Sequence, residues 1–230
     1  MKPGLFITGT DTGVGKTYVA MLIVRALAAA GHRVGVYKPV ASGCRLVGSD
    51  LVSDDAQALV DAAGRSDELE QACPQRFAAA LAPPQAAAAE GRSVDAAMLR
   101  SGLDYWRDSS DVVVVEGAGG LMSPVTEDEY IADLAFDFGY PLVIVARDAL
   151  GTINQTLSAL IVAATFRDGL DVAGIVLNQV SADADSSTAT NHAELAARCH
   201  APLLARLGWQ APGFAPAIDW LSLSSSGRMT

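Results

Sequence analysis

Gly9-Thr10-Asp11-Thr12-Gly13-Val14-Gly15-Lys16-Thr17 is the stretch on which the reading of this chain turns. It follows a short apolar run, Leu5-Phe6-Ile7, and opens a segment in which Val19, Leu22, Ile23, Ala26, Leu27 and Ala30 recur at helical spacing until Gly31. Strand, glycine-rich turn and helix start, in that order, make a phosphate loop. Glycines let the backbone wrap close to phosphate oxygens and aim N–H groups at them, and the helix N-terminus adds a partial positive charge. Lys16 is then placed to reach the β- and γ-phosphates and Thr17 to ligate Mg²⁺. The common pattern expects glycine where Thr10 stands; here Gly9 lies one residue further back.

Outward from the loop, Val34-Gly35-Val36-Tyr37 reads as a second strand, leading into Lys38-Pro39 and a polar loop through Ser42. In an open parallel sheet the carboxyl ends of strands carry the site, so Lys38 and Ser42 point toward the phosphate loop, although a lysine at a strand end is equally compatible with a solvated one. Asp54 and Asp55 begin a helix, where acids complement the helix dipole or, alternatively, one of them faces Mg²⁺. Pro83-Pro84 and Ser93-Val94-Asp95 each start a further helix in an alanine-rich stretch without a chemical motif. Val112-Val113-Val114-Val115 is a buried parallel strand ending in Glu116-Gly117-Ala118-Gly119-Gly120. An acid emerging from four valines behind a phosphate loop is the arrangement that holds Mg²⁺. Leu142–Val145 and Val172–Leu177 are later strands, the second terminating in Asn178, either a turn residue or an amide that pairs donor and acceptor on a purine edge. Between them a long helix runs from Gly151-Thr152 to about Arg167, and its start is an anion site or a threonine cap. A polar loop from Ala182 to Ser187, a helix from His192 to His200 and a last strand over Pro202–Leu207 complete the order.

The 230 residues fit one α/β domain or two small ones, and no linker divides them, so a single domain over 1–230 with a flexible tail after about 220 is expected. Net charge is −10, which argues against a nucleic-acid or anionic-membrane surface and for a small-molecule partner in a local basic pocket. Cys44, Cys73 and Cys199 have no disulfide-framework or zinc-ligand spacing, the three histidines lack metal-ligand spacing, and no apolar run reaches membrane length. A cytoplasmic protein with reduced thiols is expected.

Three stretches together, Gly-Thr-Asp-Thr-x-Val-Gly-Lys-Thr at 9–17, Tyr-Lys-Pro-Val-Ala-Ser-Gly at 37–43 and Val-Glu-Gly-Ala-Gly-Gly at 115–120, resemble the dethiobiotin synthetase family, and the resemblance extends to about Trp209. The shifted glycine is itself a feature of that family. What the resemblance implies is a P-loop fold of mostly parallel sheet flanked by helices, and an ATP- and Mg²⁺-dependent ring closure on 7,8-diaminononanoate with CO₂. Lys16 and Lys38 would be catalytic. Thr17, Asp55 and Glu116 would hold Mg²⁺, with Asp54 as the alternative to Asp55. The nucleotide would meet Gly13, Val14, Gly15, Lys16, Thr17 and Tyr18, then Asp55, Glu116, Gly117, Ala118 and Gly119, with Asn178, Gln179 and the loop of Gly208, Trp209 and Gln210 toward the adenine. Thr12, Ser42, Gly151 and Thr152 would bind the diamine, the last two from the partner subunit of a homodimer. The main alternative is a partitioning or cell-division switch ATPase, which shares the fold but carries a second lysine near the start of the loop, where this chain has Asp11.

Overall fold

A computed structural model describes residues 2–183 and 186–225. The chain runs through β1 (Gly4–Gly9), α1 (Lys16–Ala29), β2 (Val34–Tyr37), β3 (Val40–Ala41), a hairpin of β4 (Arg45–Val47) and β5 (Asp50–Val52), α2 (Asp54–Ala62), α3 (Leu69–Ala72) and β6 (Gln75–Arg76). It continues through α4 (Pro83–Ala89), α5 (Ala96–Ser109), β7 (Val112–Gly120), α6 (Ile131–Phe138), β8 (Leu142–Arg147), α7 (Thr152–Thr165), β9 (Val172–Asn178), α8 (Thr188–Arg198), β10 (Leu203–Leu207) and α9 (Trp220–Ser224).

Six of these strands form one parallel sheet in the order β10-β9-β8-β1-β7-β2. Helices cover both faces, which is why β7 and β8 read as unbroken apolar runs: Val112 through Val115 and Leu142 through Val145 have no exposed surface. Because all six strands are parallel, their carboxyl ends lie along one edge. That edge gathers the phosphate loop after β1, Lys38 after β2, Glu116 in β7, Asn178 at the end of β9 and the loop after β10.

Three boundaries differ from the sequence reading. Glu116 does not end its strand; it pairs in register with Ile7, and β7 continues past a register shift to Gly9↔Gly120. A Cβ at Gly120 would lie 3.0 Å from the Gly9 carbonyl oxygen, so glycine lets the two strand ends stay paired beside the phosphate loop. The helix expected over His192–His200 starts earlier, at Thr188, and stops before His200, where the Cys199 N–H bonds back to the Leu195 carbonyl. The chain expected to fray beyond Trp220 turns once more through α9, because buried Trp220 packs on Phe214 with ring centroids 4.8 Å apart. Residues 226–230 of that tail, and 184 and 185 of the expected polar loop, lie outside the described residues. Helix α6 was not read from the sequence. Asp133 accepts the Tyr130 N–H at its start, and Gly139 ends it at φ +67°.

Candidate active site

The phosphate loop is held open by glycine geometry. Gly13 and Gly15 sit at φ +76° and +88°, in the left-handed region that glycine enters freely. At Gly9 a Cβ would lie 2.8 Å from the Val14 side chain and 2.9 Å from the Asp11 carbonyl, so the glycine must stand here and not at Thr10. The loop is clasped from the far end of the sheet. Asn178 Nδ2 donates to the Val14 carbonyl at 3.0 Å, and a Cβ on Gly15 would come within 2.2 Å of that nitrogen.

Beside the loop lies a cleft of about 750 Å³ whose polar floor is one connected network. Lys38 Nζ donates to Glu116 Oε1 at 2.7 Å and to Asp55 Oδ2 at 2.6 Å, and Thr17 Oγ1 donates to the same Glu116 oxygen at 2.8 Å. Burial alone would lower the Lys38 pKa, but the adjacent Glu116 and Asp55 carboxylates outweigh it and raise it. Burial works the other way on Asp55, where the Lys38 ammonium prevails and holds the carboxyl below its ordinary value. Lys16 is buried as well, with Nζ 3.1 Å from the Asp11 carbonyl. Its pKa is lowered, first by desolvation and further by the neighbouring Lys38 charge, against the pull of Glu116 and Asp55. Two lysines and two carboxylates thus face each other in the cleft, with Lys16, Lys38 and Glu116 buried and Asp55 half exposed.

The two aspartates of α2 separate in space. Ser53 caps the helix by accepting the Ala56 N–H, which turns Asp55 into the cleft and leaves Asp54 outside, paired with Arg45 at 2.6 Å. Thr12, Gly13, Gly15, Lys16, Thr17, Tyr18, Ser42, Ala118 and Gly119 also line the cleft. Val14 is buried beneath it and presents its carbonyl to Asn178.

The geometry turns Gly117 and Gln179 away from the cleft, engages one donor of Asn178, and excludes two alternatives left open, a threonine cap at Thr152 and a solvated Lys38. Gly117 faces away from the cleft; a Cβ there would meet Ile131 and Phe6 in the core. Asn178 spends one of its two amide N–H donors on the Val14 carbonyl, while its Oδ1 is buried and without a partner. Gln179 turns away, its Nε2 bonded to the Ser181 carbonyl, and lines a separate hollow of about 240 Å³ with Arg147. Thr152 does not cap α7. Gly151 is the cap residue, and the Thr152 hydroxyl is buried without a partner while its N–H is taken by the Ala149 carbonyl at 3.1 Å. Lys38, for which a solvated position was open, is among the most buried charges of the chain. Gly208, Trp209 and Gln210 form an exposed turn just beyond the cleft, entered from Leu207, which pairs in register with Asn178. The sequence reading missed the apolar wall of Ala80, Leu81, Ala82 and Pro83, and Ser123 and Pro124 opposite. Nothing in an alanine-rich stretch marks it as a wall until α4 is docked.

Sheet order and loop together define a phosphate-loop nucleoside-triphosphate-binding protein. Solved structures agree on that fold: MinD from Pyrococcus horikoshii, complexed with Mg-ADP, superposes with TM-score 0.53 at 16% identity over 90% of this chain and 81% of that one. FtsY from Elizabethkingia anophelis, in complex with GDP, gives 0.53 at 14% identity over 97% of this chain, which spans 63% of the FtsY chain. An AAA-domain family model matches residues 3–213. The ATP-dependent dethiobiotin synthetase BioD of Rhodopirellula baltica is 45% identical over 211 residues, covering 87% of this chain and 82% of that protein. The same enzyme from Anaeromyxobacter dehalogenans strain 2CP-C is 48% identical over 207 residues, covering 90% of each. The chain belongs to the ATP-dependent dethiobiotin synthetase family.

Proposed function

We propose that the protein is a ligase that closes the cyclic urea of dethiobiotin from 7,8-diaminononanoate, CO₂ and ATP, releasing ADP and phosphate. The observation that carries the chemistry beyond nucleotide hydrolysis is Lys38, a buried cation at the end of β2, across the cleft from the phosphate-loop lysine. An amine of the substrate adds to CO₂ and loses a proton to give a carbamate. A carbamate oxygen then attacks the γ-phosphorus as the bond to ADP breaks, and the second amine attacks the carbamoyl carbon and expels phosphate. Negative charge accumulates on the transferring phosphoryl group and the carbamate. Lys16 from one side and Lys38 from the other stabilise it in a site where burial strengthens each interaction. Thr12 and Ser42, both on the cleft wall, bind the amine end.

The residues also fit a magnesium ion. Thr17, Asp55 and Glu116 would hold it, and Glu116 Oε2 is a buried oxygen with no hydrogen-bond partner. One or two carboxylates completed by phosphate oxygens and water is the set Mg²⁺ favours. The ion would neutralise charge on the triphosphate. Asn178 Oδ1 supplies one acceptor for an adenine amino group, and the loop at 208–210 flanks the base.

A homodimer is supported by the outer surface of α7. Leu150, two residues before α7, and Ile161 within it are 83% and 63% exposed, and Met122 beside it is 47% exposed, apolar side chains that a second copy would cover. Asn154, Gln155 and Ser158 of α7 line a hollow of about 520 Å³ with Thr10 and Asp11. The substrate carboxylate is bound from that side at the partner's Gly151–Thr152 turn through the Gly151 N–H, since that of Thr152 is held by the Ala149 carbonyl. Among the described residues no helix is long and apolar enough to cross a membrane, and the cysteines are free, which supports a cytoplasmic enzyme. The test is incubation with MgATP, ¹³C-bicarbonate and the diamine, followed by mass spectrometry. One labelled carbon in a product that has lost both free amines is expected; ATP turnover independent of the diamine, with no new product, would overturn the reading in favour of a switch ATPase.

A further inference from the structure

The loop from Gly208 to Gly213 leaves the sheet beside Asn178, at the place proposed for the base, and rests on the core through the partly buried Ala211. Ala211 N–H bonds back to the Gly208 carbonyl within the loop, and Gln210 sits at φ +53°, in the left-handed region. Among the described residues the one side-chain hydrogen bond that enters this loop comes from Tyr18, whose hydroxyl donates to the Ala211 carbonyl. Tyr18 is the third residue of α1, immediately after Lys16 and Thr17, and its ring forms part of the cleft wall. One side chain therefore joins the helix that presents the phosphate contacts to the loop that flanks the base.

We propose that Tyr18 is a positioning residue that sets the base-flanking loop at a fixed distance from the phosphate loop, so that affinity for the nucleoside part of ATP depends on the Tyr18 hydroxyl. The inference rests on the ATP-binding part of the function proposed above. Without the tether, the loop gains freedom that nucleotide binding must remove, and the loss falls on the base and ribose. The phosphates are insulated from it, because Gly13, Gly15 and Lys16 are fixed by their own geometry and by the Asn178 clasp. The effect expected of one net hydrogen bond is roughly two- to tenfold in affinity.

Tyr18→Phe keeps the ring and removes the tether. In the variant KM for ATP should rise by that factor with kcat within about twofold of the parent. Affinity for inorganic tripolyphosphate, which has no base, should be unchanged. Trp209 gives a second readout that does not need turnover. It is 46% exposed, whereas Trp106 and Trp220 are 0% and 2% exposed, so collisional quenching by acrylamide reports chiefly on the loop. Quenching should increase in Tyr18→Phe without nucleotide, and saturating ATP should protect Trp209 in the parent. Equal losses for ATP and tripolyphosphate would overturn the proposal by placing Tyr18 in service of the phosphates. Unchanged ATP affinity and unchanged quenching would overturn it by showing the tether idle. Failure of the parent itself to bind ATP would instead reject the underlying functional reading.

Discussion

Lys38 Nζ and Glu116 Oε1 are 2.7 Å apart, with 4% and 1% of their side chains exposed, so each charge owes its place in the protein to the other. Removing Lys38 leaves the desolvated Glu116 carboxylate with the neutral Thr17 hydroxyl as its donor, whereas Lys38 without Glu116 would keep Asp55. Lys38→Met should lower stability by about 3 kcal/mol and turnover by orders of magnitude. The double variant Lys38→Met/Glu116→Gln, which no longer buries an unpaired carboxylate, should recover much of the melting temperature and none of the activity. Thermal denaturation and product formation measured on the same samples separate the two; recovery of both would show that Lys38 serves the fold alone.

Lys16 makes a pH prediction. Its pKa in the free protein is below the ordinary 10.5, whereas bound triphosphate favours the charged ammonium and raises it. In the window between the two values, ATP binding takes up a proton at Lys16; at lower pH the lysine is already charged and takes up none. Calorimetry over a pH series rising toward 10.5, in buffers of different ionisation enthalpy, should show this uptake, and Lys16→Ala should lose it. The folding sign is consistent. The unfolded chain holds that proton more tightly, so Lys16 contributes stability that rises with pH through the window.

The two left-handed glycines of the loop should differ. Alanine at Gly13 meets nothing within 4 Å and carries only the strain of φ +76°, about 1–2 kcal/mol. Alanine at Gly15 carries similar strain at φ +88° and also displaces Asn178 Nδ2, which lies 2.2 Å from the new carbon. Gly15→Ala should weaken ATP far more than Gly13→Ala in equilibrium binding. Equal effects would mean that the Asn178 clasp does not support the loop.

The proposed shared site can be tested by complementation. Thr152 is unsuitable for blocking the carboxylate pocket because its side chain is buried, and a large residue there would disturb the fold. Asn154 lines the hollow beside its own chain's phosphate loop, so the obstruction belongs on the donated turn, where Leu150 is 83% exposed and Leu150→Glu would set a carboxylate against that of the substrate. Lys16→Ala and Leu150→Glu should each be nearly inactive alone. Verified heterodimers would carry both lesions in one site and neither in the other, and should regain up to half the activity. Heterodimers as inactive as their parents would place the carboxylate within one chain.

The charged half of the site was legible because parallel strands announce themselves as apolar runs and deliver whatever follows them to one edge. Lys38 and Glu116 follow such runs, and the spacing of Gly15-Lys16-Thr17 fixes the loop. Orientation within a loop was not legible. Gly117 and Ala118 are adjacent and similar, yet β7 continues as a strand, so alternation sends Gly117 to the core and Ala118 to the cleft. The clasp from Asn178 to Val14 and the burial of the Thr152 hydroxyl were not legible for a related reason. The partner of a polar side chain is set by a residue distant in sequence, and no local pattern records it. Helix α6 was available in the spacing of Ile131, Leu134, Ala135 and Phe138 before Gly139, whereas the short α9 depends on Trp220 finding Phe214.

The Asn178 clasp has a consequence for synthesis. The bond from Asn178 to Val14 spans 164 positions, so the phosphate loop lacks its brace until β9 has emerged and joined the sheet. Closing so long a loop is favoured only when β8 and β9 pair around it, and contacts of this separation form late. A nascent chain that stops short of Asn178 should therefore carry the whole Gly9–Thr17 sequence and still not retain nucleotide. Binding competence would appear only once β9 is in place, as one late event rather than as a property of the segment that carries the loop.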